Sequence, residues 1–109
     1  MSLHSGYLVR NEDIDDARFR EWMRSLITKM LLGFGKYFSK DCVLNSDGRR
    51  LLEEILKPVV RRYPHLKGIA RNVRKEPTLE NILKLASIFM SEDEAEELAR
   101  EGMRESTLR

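Results

Sequence analysis

The chain has 109 residues, of which 41% are hydrophobic and 35% charged, with 20 Lys and Arg against 18 Asp and Glu. This balance excludes a disordered chain and allows one folded domain large enough to form its own core. The single cysteine, Cys42, excludes an internal disulfide, and the longest apolar-rich stretch, 26–38, is interrupted by Thr28, Lys29 and Lys36, too early for a membrane span.

Residues 1–10 read as a flexible leader. Asn11 or Asp13 can then cap a helix whose first turn carries Asp15 and Asp16, acids placed at the positive end of the helix dipole. Phe19, Trp22, Met23, Leu26, Ile27, Met30, Leu31, Phe34, Tyr37 and Phe38 follow at three-and-four spacing. That pattern predicts one long amphipathic helix over 13–38, weakened near its end by Gly33 and Gly35.

Turn residues in "SKDCVLNSDG" break the period, apart from a hint of alternation at Cys42–Leu44. A second helix starts at Ser46 or Asp47 and points Leu51, Leu52, Ile55, Leu56, Val59 and Val60 inward. Pro58 removes a hydrogen bond to Glu54 and predicts a kink or restart. Tyr63, pushed toward extended geometry by Pro64, ends the element. A short helix from Pro64 or His65 to Val73 is expected to bury Leu66, Ile69, Ala70 and Val73. Thr78 caps the next helix, and Ser91 with Glu94 forms a capping box for the last. The expected architecture is an all-α, compact bundle of about five helices. The domain covers 11–104, behind the leader and ahead of a frayed tail at 105–109.

Catalytic chemistry finds little support. His4 and His65 have no Cys, His or carboxylate at ligand spacing, and no nucleophile elbow or phosphate-binding glycine loop occurs. The GxGK fragment in "GFGKYF" sits on a helical apolar stripe and lacks the first glycine and the terminal Ser/Thr of a phosphate loop. The expectation is a protein that is not an enzyme and has no catalytic residue, metal, cofactor or small-molecule substrate. It is expected to be cytoplasmic and without a membrane partner.

Two binding readings follow from the residues. From Lys57 to Lys75, seven of nineteen residues are Lys or Arg and none is acidic. Lys67, Arg71 and Arg74, spaced four and three apart, share one helix face. Together with Arg61, Arg62 and Lys75 they form a candidate DNA- or RNA-binding surface through phosphate contacts. The ordinary alternative pairs these cations with Glu53, Glu54 and the acids at 92–97. The second reading uses the apolar face of the first helix. Trp22, Met23, Met30, Phe34 and Tyr37 are candidates for a protein-partner interface or a homodimer, since methionine and aromatic side chains adapt to partner surfaces.

One segment adds a resemblance. "EPTLENILKLASIF", residues 76–89, resembles the stretch after the recognition helix in Cro/C1-type helix-turn-helix repressors. The resemblance implies that "HLKGIARNV" stands at the recognition-helix position, with Lys67, Arg71 and Arg74 toward DNA. Upstream, "LKPVVRRYPHL" departs from the family pattern of two short helices joined by an "LAxxxGVS" turn.

Overall fold

The computed structural model describes residues 3–107, with side chains described from Asp16 onward. The elements are α1 (Leu3–Leu32), α2 (Phe34–Tyr37), α3 (Ser46–Arg62), a 3₁₀ turn (Pro64–Leu66), α4 (Lys67–Lys75), α5 (Leu79–Ala86) and α6 (Glu92–Thr107). The all-α expectation holds, and among the described residues there is no strand. The helical backbone of α1 reaches back to Leu3, through residues expected as a leader. At the other end α6 runs to Thr107, and Leu108 and Arg109 lie outside the described residues.

The predicted 13–38 helix is two helices. Gly33, at φ −90° and ψ 35°, ends α1, and α2 restarts at Phe34. A Cβ on Gly33 would stand 2.9 Å from both the Lys29 carbonyl and the Tyr37 ring, so glycine gives that ring its seat. Tyr37 and Phe38 thereby turn into the core. Asn45 links this corner to α3 by accepting from the Gly48 N–H at 2.8 Å and donating to the Lys36 carbonyl at 2.8 Å.

The Pro58 restart is not found, because α3 continues through it to Arg62. Ile55, Leu56 and Val59, each at most 1% exposed, clamp the inner face on both sides of the proline. Glu54, whose carbonyl loses its donor, belongs to the exposed side where water can replace it. Tyr63 breaks the helix as expected, at φ −126° and ψ 78°.

α4 departs from its predicted setting at one residue, since Leu66, Ala70 and Val73 pack inward and Ile69 does not. Of these, Ala70 and Val73 are buried, while Ile69 is 38% exposed. A nine-residue helix offers only a narrow stripe to its neighbours, and here the stripe runs through 66, 70 and 73. The hint of alternation at Cys42–Leu44 becomes two isolated bridges, Phe38 to Leu44 and Val43 to Thr78. Cys42, at φ 62°, takes the left-handed conformation that lets this loop turn.

The core joins Met23, Ile27, Met30 and Leu31 of α1 to the α3 stripe, to Ile82, Leu85 and Ala86 of α5, and to Ala95 and Ala99 of α6. Among the described glycines Gly102 is the most tightly placed, since an added Cβ there would collide with the Leu31 carbonyl. Gly68 is the opposite case, with nothing within 4 Å of a built Cβ. Gly102→Ala is expected to lower unfolding stability by about 3 kcal/mol through overpacking. Gly68→Ala is expected to raise it by about 0.5 kcal/mol through helix propensity. Urea melts of the two variants check both signs.

Candidate functional site

The packing of α3 decides where the basic residues point. With Leu51, Leu52, Ile55, Leu56 and Val59 inward, the helical repeat puts Arg50, Glu54, Lys57 and Arg61 on one outward stripe. Arg62, one residue further round, is carried back toward α1. There its Nη2 donates to the Asp16 carboxylate at 3.1 Å, and its guanidinium lies 5.1 Å from the centre of the Phe19 ring. Arg62 therefore belongs to the α1–α3 seam and leaves the proposed basic face.

On α4, the 66/70/73 stripe faces the core, which sets Lys67, Arg71 and Arg74 together along one flank. Ile69 and Asn72 fall on the other flank. Lys67, Arg71 and Arg74, with Val60 of α3, line a shallow depression of about 250 Å³ between the two helices. Arg74 is held there by Glu53, with Nε and Nη2 donating to its two carboxylate oxygens at 2.9 and 3.2 Å. Lys75, the last residue of α4, is exposed.

The seven cations of the window thus divide. Arg62 and Arg74 have acidic partners. Lys57, Arg61, Lys67, Arg71 and Lys75 are exposed and make no ion pair among the described residues. Glu53, Glu54 and the acids at 92–97 were the expected partners: Glu53 takes Arg74, whereas Glu94 pairs with Arg24 of α1 at 2.7 Å.

The five residues assigned to a protein interface separate as well. Met23 and Met30 have no exposed surface and Tyr37 is 6% exposed, because they form the chain's own core. Phe34 is half-buried and stacks on Phe38 at 4.6 Å, so Trp22, at 50% exposed, is the most open of the group.

A second hollow escaped the sequence reading. Trp22 and Leu26 of α1 face Arg50, Glu53, Glu54, Lys57, Pro58 and Arg61 of α3 across a cleft of about 460 Å³. The 50/54/57/61 spacing was the available signal. Its meaning depended on which α1 residues lie opposite, and periodicity does not supply that. Among the described residues no helix is long and apolar enough to cross a membrane, and no cluster of His, Cys, Asp or Glu could hold a metal.

The chain matches no family model, no curated protein and no solved structure. The helix-turn-helix likeness of 76–89 therefore stands on those residues alone, and the helix before α4 is 17 residues long, not short.

The Arg62 hydrogen bond holds the Asp16 carboxyl below its usual range, and the Tyr63 hydroxyl, donating at 3.2 Å, adds to this. A carboxyl depressed on folding stabilises the fold above its unfolded pKa and loses that contribution as pH falls through the folded value. Below about pH 4, the wild-type melting temperature should fall more steeply than that of Asp16→Asn. Thermal melts across the acid range compare the two.

Proposed function

We propose that the protein is a non-catalytic binding domain that holds a nucleic-acid backbone across the outer faces of α3 and α4. It would act in the cytoplasm as a regulator or an accessory subunit of a nucleoprotein complex. The observation that carries this reading is the pair Lys67 and Arg71, one helical turn apart. They line the depression beside Val60 with no acidic partner among the described residues.

Lys57 and Arg61 extend the same sign of charge across α3, and Lys75 extends it to the end of α4. Five exposed cations can neutralise several phosphates, and their release of counterions makes such binding steeply salt-dependent. Arg74, already occupied by Glu53, positions the depression and contributes less to binding. The reading is one of backbone contact without base readout by α4, since Asn72 lies on the flank away from Lys67 and Arg71. A protein-partner or homodimer reading retains mainly Trp22 among its five residues and is the weaker of the two.

The test is a salt titration of binding to labelled duplex and single-stranded DNA and RNA, from low to physiological salt. Wild type should bind at low salt with a steep slope. Lys67→Ala/Arg71→Ala should flatten the slope of log affinity against log salt by about 1.5, the share of two phosphates. Arg100→Glu, on the exposed side of α6, should leave binding unchanged. Absence of binding by wild type at low salt overturns the proposal.

A further inference from the structure

The cleft between α1 and α3 differs from the α3–α4 depression in carrying an exposed indole. Trp22 is half-exposed at its mouth, and Phe19, edge-on at 5.9 Å and 90°, braces the ring. Leu26 and Pro58 supply apolar wall, and Lys57 and Arg61 stand at the margin. At about 460 Å³ the cleft falls within the roughly 300–1,000 Å³ of small-ligand sites. Resting on the nucleic-acid reading above, we infer that this cleft takes an unpaired base of a single-stranded nucleic acid, stacked on Trp22, while Lys57 and Arg61 hold the flanking phosphates.

Three features separate a base from other occupants. An aromatic face beside cations is the combination that binds single strands without sequence preference, because every base offers a π-face and every linkage a phosphate. The acids of the cleft point the same way. Glu53 is engaged by Arg74, but Glu54 is exposed with no ion pair among the described residues. A carboxylate there repels phosphate and accepts hydrogen bonds from N–H groups, which a base edge carries and a phosphate lacks. The third feature is continuity. α3 forms one wall of both hollows, so a strand lying along Lys67 and Arg71 meets Arg61 and Lys57 before it reaches Trp22. A duplex keeps its bases stacked inside and has none to offer the indole.

Trp22 is the chain's one tryptophan, so its emission reports on the cleft directly. The full chain is titrated at low salt with oligodeoxythymidine, with an abasic deoxyribose-phosphate strand of equal length and with a blunt duplex. Oligodeoxythymidine is expected to quench Trp22 emission, whereas the abasic strand and the duplex bind, by polarisation of a labelled end, without quenching. Trp22→Ala should weaken oligodeoxythymidine binding about tenfold and leave the other two unchanged, and Trp22→Phe should restore most of the loss. Binding of all three with unaltered Trp22 emission overturns the stacking inference and leaves the backbone reading standing. Failure of all three to bind removes both. The wild-type quench decides the matter even if Trp22→Ala melts early.

Discussion

The rotational setting of α3 governs both the core and the surface. Leu51, Leu52, Ile55, Leu56 and Val59 are each 3% exposed or less, and together they pin the helix about its own axis. A rotation of one residue's width would lift Leu56 toward solvent and lose about 2 kcal/mol of burial. With that angle fixed, Lys57 and Arg61 can only face outward and Arg62 can only face α1. The basic face is thus a by-product of apolar packing. Its cations sit where they do because five hydrocarbon side chains leave them no other side of the helix.

Ion pairs do less of the holding than a 35% charged composition invites one to expect. Among the described residues three of them join separate helices: Arg24 to Glu94, Arg62 to Asp16, and Arg74 to Glu53. All are a third or more exposed, where water and salt weaken them. Their better-supported role is to fix orientation. Arg62 stacks on Phe19 while it binds Asp16, so it registers α1 against the end of α3. Glu53 draws Arg74 toward α3 and so keeps α4's flank, with Lys67 and Arg71, turned to the same side.

Local rules read several later helix boundaries well, but not the first, since α1 begins at Leu3 and runs through the expected caps Asn11 and Asp13. Thr78 accepts from the Asn81 N–H as its spacing predicts, and Tyr63 breaks before Pro64. Ser91 accepts from the Glu94 N–H, but the Glu94 carboxylate is taken by Arg24, so only half of the expected capping box is formed. Those features depend on a few neighbouring residues. The errors arise where a distant partner decides. Gly33 ends α1 because the Tyr37 ring needs its space, and Pro58 is tolerated because the residues around it are clamped by other helices. Ile69, expected inward with Leu66, Ala70 and Val73, is left 38% exposed because α4's neighbours, and not its own periodicity, set the width of its inner stripe. The candidate site obeys the same division. That Lys67, Arg71 and Arg74 share a face was legible from their spacing. That Arg74 meets Glu53 while Arg62 meets Asp16 required the third dimension, as did the cleft facing Trp22.

The segment that resembles a helix-turn-helix repressor shows how local chemistry alone can produce such a likeness. Thr78 and Asn81 of "EPTLEN" each have a structural task in this fold. Thr78 caps α5, and Asn81 donates to the Glu76 carbonyl at 2.8 Å, closing the turn between α4 and α5. Pro77 is buried and its carbonyl accepts from the Leu44 N–H at 2.9 Å, while the Leu79 N–H donates to Cys42 at 2.8 Å. These bonds fasten the α4–α5 link to the loop after α2 and so fix the angle at which α4 leaves the core. Pro77, Thr78, Leu79 and Asn81 of this pattern are accounted for by capping and anchoring, with no contribution from DNA. The case for nucleic acid consequently passes from that motif to the cations, and among these to Lys67 and Arg71, whose lack of any described acidic partner neither capping nor core packing requires.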